Sequence, residues 1–598
     1  MLNRRSNQRG LFEGDHLWLE HVGRRSFYGF LASQRGELFR DEDFAELYSL
    51  TNGRPSVPPS LLATALLLQV HERCSDEEAR QRACFDVRWK VALGLEMETR
   101  PFAKSTLQLF RAQLILHEKM RLPFERSLEL ARRRGFLKRE RKLKLALDTT
   151  NVLGSGAVKD TYNLLADGIA MLARELAGLA GQRPQGWAAE NGFSRYFGKS
   201  VKGQAEIDWS SRAAREDFLA GLVADAERLL QLAGQARSQL EEGSKNERRL
   251  LEASQLLSQL LLQDVERKEG RVQIRQGTSG ERIPSVHDPE IRHGRKSASK
   301  RFDGHRVGVA VDTDEQLITA VDVMAGSARD SDDALKLVEE SEAATGVEVE
   351  AALGDAAYGA AETRRQFIDA NRTLIAKVPG IRENVAYFTK DQFQIDIAAR
   401  SCTCPAGQVT SRVVRHGSGA SRRGTRPPQM AFIFNAKICG QCPLRSQCYS
   451  PKTRGGRTVL LHPEEELLAQ ARALQGSPTF ATFRRQRQVA EHRIARLIQL
   501  GLRQARYRGR TKTLFQALMA ATVANLTLVA GKSDLMGPEP APRQLVTTLM
   551  RVLSDLPRVF HWPRTGEYRL RQWLGSARAG HHCRRLLPPS AAAFRPGF

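Results

Sequence analysis

The chain has 598 residues, 41% hydrophobic and 27% charged, and its 92 Lys and Arg outnumber 67 Asp and Glu to give a formal net charge of +25. That length exceeds what one hydrophobic core supports, so two to four globular units are expected. The spread positive charge favours a polyanionic partner, nucleic acid before membrane, because no run reads as apolar enough to span a bilayer; a genome that favours arginine codons would give the same charge without such a partner.

The first residues, MLNRRSNQRGLFEGDHLWLEH, show no signal-peptide apolar core and no small-residue cleavage site, so a cytoplasmic location is expected. Residues 41–135 read as helical. Prolines at 58 and 59 open the run LLATALLLQV, and Ser75 followed by Asp76, Glu77 and Glu78 has the pattern of a capped helix start. These helices with basic faces fit a helix-turn-helix-like DNA reader or a plain packing domain equally well. LKLALD, with Leu143, Leu145 and Leu147 alternating, reads as a strand running into Asp148. Between 155 and 280 leucines at helical spacing form two arms broken by Glu-Gly-Ser-Lys-Asn, a long helical hairpin that packs or self-associates.

A basic connector, DPEIRHGRKSASKRFDGH, leads to RVGVAVD and LITAVDV, which read as a hairpin. A capped helix is expected from about Asp330 to Gly346, then the strand in VEVEAALGDAAYG, a helix in AAETRRQFIDAN and a strand in TLIAKVP. This element order is that of an α/β fold with a ribonuclease-H-like mixed-sheet core, its first and fourth strands side by side and parallel. The expected organisation is an N-terminal all-helical, DNA-binding domain (1–140), the first core strand (141–154), a mainly helical insertion (155–300), the core resumed (301–380), a Cys-rich insertion (381–475), two C-terminal core helices joined by the basic turn RYRGRTK (476–531), and a basic, poorly ordered tail (532–598) in which LVTTLMRVLSDL could form a helix.

Three acids stand out. Asp355 shares the parity of Val349, Ala351 and Leu353, and an ionised acid on an apolar face costs several kcal/mol unless a cation compensates; the alternative is an Asp that caps the next helix. Asp148 has a similar strand-end position, although its parity is opposite to that of the leucines. Glu491 precedes Ile494, Ala495, Ile498 and Leu502 at helical spacing and so is expected on the apolar face, with Arg484 and Arg487 beside it; the alternative is a surface ion pair with Arg487 or His492. Three carboxylates suit two Mg²⁺ ions in phosphodiester chemistry, which needs no catalytic histidine. Arg484, Arg487, Arg292, Arg295, Lys296, Arg508, Arg510 and Lys512 are candidate DNA contacts. Five of the eight cysteines cluster. Cys404, Cys439, Cys442 and Cys448, with Cys402 as an alternate, suffice for one structural Zn²⁺, or are simply reduced thiols in a loop.

In order along the chain, PPSLLATALLLQV, TLQLFR, LALDTTNVLGSGAVKDTYNLL, AVDVMAGSARDSDDA, ALGDAAYG, CPAGQ with CGQCPLRSQC, RQRQVAEHRI, RYRGRTKT and ATVANL resemble insertion-sequence transposases of the DDE superfamily, specifically the insertion-sequence 1182 group, over residues 41–530. The resemblance implies Asp148, Asp355 and Glu491 as ligands of Mg²⁺ (or Mn²⁺). It implies binding of terminal inverted repeats, hydrolysis that frees a 3′-hydroxyl, and attack of that hydroxyl on target DNA. It also implies double-stranded DNA as partner, a homodimer in the synaptic complex, no small-molecule substrate, and a place at the bacterial nucleoid. A related signature has Tyr and Lys where this chain has Arg484 and Ile498.

Overall fold

Leu143, Leu145 and Leu147 are fully buried in β1 (Leu143–Leu153), which does not stop at Asp148 as expected but runs on through Thr149, Thr150 and Asn151. In the computed structural model the described residues are 1–5, 14–49, 52–277, 279–297, 299–379, 386–416, 420–421, 424–425 and 429–532; the tail expected after Lys532, with its helix, lies outside them. The stretch read as a connector is instead a hairpin: β2 (Arg292–Arg295) pairs antiparallel with the start of β3 (Arg301–Asp312). The expected second hairpin joins β3 to β4 (Ile318–Ala325). β5 (Val349–Gly354) and β6 (Leu374–Ala376) complete a six-stranded sheet in the order β2-β3-β1-β5-β6, with β4 taking the length of the β3 edge that β2 leaves open. β1 lies antiparallel to β3 and parallel to β5, and β5 is parallel to β6. Gly304 stands where β1 and β2 flank β3 together, and a Cβ there would collide with the Val152 carbonyl.

The sheet is held by burial of Val307, Val309, Val311, Val321 and Leu353, each worth about 1.5–3 kcal/mol. Over β4 packs the helix Arg510–Lys532, which also reaches the helix Leu122–Arg133. By length and composition this helix could cross a membrane, against the expectation that no run could. It is a core helix, with Phe515, Leu518, Val523 and Leu526 buried, so its apolarity is consumed inside the protein. Its fully buried Asn525 receives the Ile318 N–H at 2.9 Å and donates to the Ile318 carbonyl at 2.8 Å, satisfying the strand's backbone.

The N-terminal region is helical as expected. Pro59 occupies the first turn of Pro59–Glu72, and Ser75 and Glu78 form a capping box at the start of Asp76–Phe85. The insertion holds the two expected arms, Arg212–Arg237 and Lys245–Asp264, around Leu222, Leu229, Leu257 and Leu260. A third helix, Thr161–Leu179, shares that core, and a small hairpin pairs Val265–Lys268 with Arg271–Ile274; neither was expected from sequence. The Cys-rich region contains two small three-stranded sheets and leads into the helix Glu465–Gln475.

Asp76 ties the helical region to the basic turn of the core. Its carboxylate accepts from Arg111 (2.7 Å), Gln69 (2.7 Å), Gln108 (3.0 Å) and Arg506 (3.3 Å), while Tyr507 lies under the guanidiniums of Arg111 and Arg506. Burial pushes the Asp76 carboxyl up, but hydrogen bonds from Arg111 and Gln69 and the Arg111 charge outweigh it and hold it well below the usual range. Asp76→Ala is expected to cost about 3–5 kcal/mol in chemical denaturation, since Arg111 stays buried without its carboxylate. Because the folded pKa is depressed, the contribution of Asp76 is complete above the unfolded value near pH ~4 and is lost as the pH falls further. The variant's stability should lack that acid slope.

Candidate active site

The parallel pairing of β1 with β5 opens with Leu143 opposite Val349; a bulge then shifts the register so that Lys144 meets Ala351 and Ala146 meets Leu353. Counting that register on by two residues brings Asp148, still within β1, level with Asp355 just past the end of β5. Without the bulge Asp148 would stand level with Gly354, and the two acids would leave opposite faces. The parity of Asp148, opposite to that of the β1 leucines, is therefore the parity that matches Asp355. Asp355 lies just past β5 and is exposed, not pressed against the core as expected. Its Oδ1 accepts the Ala357 N–H at 2.8 Å, and the helix it could have capped begins only at Ala361, with Ala360 at the cap. The capping alternative is excluded by that distance along the chain.

Glu491 lies on the helix Pro478–Leu497, which crosses β1. The buried face of the helix is Ala490, Arg493, Ile494 and Leu497; Glu491 stands at its rim with 56% of its side chain exposed, and Ala495 is exposed too. This corrects the expected apolar-face position: packing rotates the helix so that 490 and 497, rather than 491 and 498, point inward. Arg487 joins the acids, its Nη2 donating to Glu491 Oε1 at 2.6 Å and its Nη1 to Asp148 Oδ2 at 3.4 Å. The helix ion pair and the approach to the strand thus coexist.

Burial pushes the Asp148 carboxyl up to about 6; the Thr149 N–H, at 2.8 Å, and Arg487 pull it down, while the charges of Asp355 and Glu491 push it up again. Asp148 therefore feels the charge of both other acids. Around them the structure adds residues that carried no expected role. Thr149 and Arg306 both donate to Asp330. Tyr358 is fully buried beside Gly354, and its hydroxyl has no partner among the described residues. Asp333, 3% exposed, lies over Gly308 with neither carboxyl oxygen bonded, and burial pushes it up to about 8. It stands at the N-cap of Ala334–Thr345, four residues later than the start expected, yet makes no capping bond. The clue in the sequence is the acidic run RDSDD, which also has the pattern of a helix start.

Of the candidate DNA contacts, Arg484, Arg295, Lys296, Arg508, Arg510 and Lys512 are exposed. Arg292 is not available: it is 16% exposed and folds back to donate to the Pro289 and Ile291 carbonyls. The turn that carries Arg508 and Arg510 is pinned to the insertion, with Gly509 N–H on Asp288 at 3.1 Å, Arg510 N–H on Glu290 at 2.5 Å and Ser155 on the Tyr507 carbonyl at 3.1 Å. Cys404, Cys439, Cys442 and Cys448 line one small cavity, whereas Cys402 is fully buried among Phe393, Phe432 and Val459 and does not line it. Among the described residues, no three His, Cys, Asp or Glu side chains are gathered closely enough to hold a metal ion as they stand.

Residues 403–530 match the family model described as a transposase DDE domain, and residues 28–113 match one described as a transposase domain (DUF772). The first match contains Glu491; Asp148 and Asp355 lie outside both. No curated protein and no solved structure matches the chain. Two transposase domains in one chain support a DDE-superfamily transposase, for which DNA is the partner.

Asp333 generates a test of the buried shell. Its folded pKa is raised, so between the unfolded value near pH ~4 and about 8 the folded state holds the extra proton and stability falls as pH rises. Asp333→Asn is expected to melt at a higher temperature than the parent, by a margin that widens from pH 4 to pH 8 and then levels off in thermal scans.

Proposed function

We propose that this protein is a divalent-metal-dependent DDE transposase of the insertion-sequence 1182 group, with a ribonuclease-H-like core, that cleaves DNA at terminal inverted repeats and joins the freed 3′-hydroxyl to target DNA. The observation that carries this reading is the convergence of Asp148, Asp355 and Glu491 where the parallel pairing of β1 and β5 ends. The strand order, with β3 and β4 antiparallel on one side of β1 and β5 and β6 parallel on the other, supports the ribonuclease-H-like assignment.

The donor set suits Mg²⁺ or Mn²⁺: all its atoms are carboxylate oxygens, and the Asp148 carboxyl, pushed up first by burial and further by the charges of Asp355 and Glu491, is one whose ionised form a cation would favour. When bound, two such ions would supply activation of a water or 3′-hydroxyl and stabilisation of the leaving oxygen. Asp148 must be ionised to serve as a ligand. Arg487 neutralises Asp148 and Glu491 and aims the glutamate at β1; with that charge otherwise balanced, its guanidinium is free to turn to a DNA phosphate. Arg484, one helical turn away, and the exposed Arg295, Lys296, Arg508, Arg510 and Lys512 are assigned to the DNA backbone. Pairing two element ends calls for a homodimer, working on DNA in the bacterial cytoplasm.

On a labelled duplex ending in the element's terminal repeat, with Mg²⁺, the parent is expected to nick the strand. Asp148→Asn, Asp355→Asn and Glu491→Gln should each lose roughly 10³-fold in cleavage while binding the repeat equally in gel shift. At subsaturating Mg²⁺, cleavage should fall as the pH drops through about 6, where protonation of the metal-free Asp148 competes with metal binding. Variants that cleave like the parent would overturn the site, and a parent that binds the repeat but never cleaves it would be a DNA-binding protein without catalysis.

A further inference from the structure

The region between β6 and the Glu491 helix is a lobe of short strands and single helical turns. Its own apolar core is Phe393, Cys402, Phe432, Phe434 and Val459. Five buried side chains are the size of core that small folds supplement with a disulfide or a metal. The cysteines of the lobe form no disulfide.

Its four remaining thiols converge. Cys404 begins a tight turn closed by its own N–H on the Gln408 carbonyl and the Gly407 N–H on the Cys404 carbonyl, both 2.8 Å, with Gly407 at φ +77°. Cys439 sits in the helical turn Ala436–Gly440 and Cys448 in Arg445–Cys448. Cys442, between them, donates its N–H to the Cys439 carbonyl and accepts the Arg445 N–H. All four line one cavity of about 100 Å³.

We propose that Cys404, Cys439, Cys442 and Cys448 bind one Zn²⁺ as a structural centre that holds this lobe together. Four thiols lining one small cavity make the donor set of a structural zinc, which binds them as thiolates with up to four protons released. The sulfurs are not yet within ligating range. Binding would require rotation about Cα–Cβ on these short turns to bring each sulfur to about 2.3 Å from the ion. Four thiolates leave no open position, so the ion takes no part in DNA cleavage. Cys402 is excluded because its sulfur is committed to the apolar core. Glu465 fastens the lobe to the helix that precedes the Glu491 helix: from that helix's first turn it accepts from Lys390, from Arg472 at 3.0 Å and from the His462 N–H at 3.0 Å.

Full-length protein expressed with zinc in the medium is expected to carry close to one zinc per chain by elemental analysis. Exchanged with Co²⁺, it should show the intense visible bands of tetrahedral thiolate coordination. Cys404→Ser and Cys442→Ser should each lose most of the zinc, while Cys402→Ala keeps it. Should the serine variants be insoluble, the cobalt spectrum of the parent decides. A parent with neither zinc nor a cobalt–thiolate spectrum overturns the proposal, as does a Cys404→Ser variant that keeps its zinc or a Cys402→Ala variant that alone loses it.

Discussion

The bulge between Leu143 and Lys144 sets the register in which Asp148 comes level with Asp355, and the candidate site depends on that one-residue shift. A strand's side chains alternate faces, so any slip that keeps the hydrogen-bond ladder but changes parity would separate the two acids. The constraint is expensive to violate because β1 is central: it is paired along β3 on one edge and β5 on the other, and its leucines are fully buried. The polar extension of β1 past Asp148 survives because the antiparallel partner continues to pair it out to Leu153.

Bringing acids together has an electrostatic cost, and the surroundings answer it with guanidiniums. Arg487 spans Asp148 and Glu491, and Arg306 and Thr149 hold Asp330 alongside. Asp333 receives no such partner and is driven toward its neutral form instead. One site thus shows both physical responses to a buried carboxylate: a counter-charge where a helix delivers one, and retention of the proton where none arrives.

The frame that keeps Glu491 over β1 is assembled from distant pieces of chain. Asn525 caps the backbone of β4 from the last helix, Asp76 gathers side chains from two other N-terminal helices and from the basic turn, and Arg121 pairs with Glu340 at 2.9 Å between the helical region and the core. The helical insertion is more self-contained, with its own leucine core, and its contribution at the site is to pin the turn bearing Arg508 and Arg510.

What was legible in the sequence is what short-range chemistry decides. The Ser75–Glu78 capping box, the proline-led helix at 59, the valine alternation of β3 and β4 and the αL glycine that ends a helix at Gly346 each need only residues a few positions apart. Asp148, Asp355 and Glu491 were recognisable as acids placed at odd positions in such elements. Tertiary structure alone decided the bulge that aligns the first two, the rotation that moves Glu491 to the rim of its helix, the folding back of Arg292, and the burial that makes an apolar helix at 510–532 core rather than membrane span. Register, rotation and burial are fixed by partners hundreds of residues away, and the period of a local pattern contains no term for them.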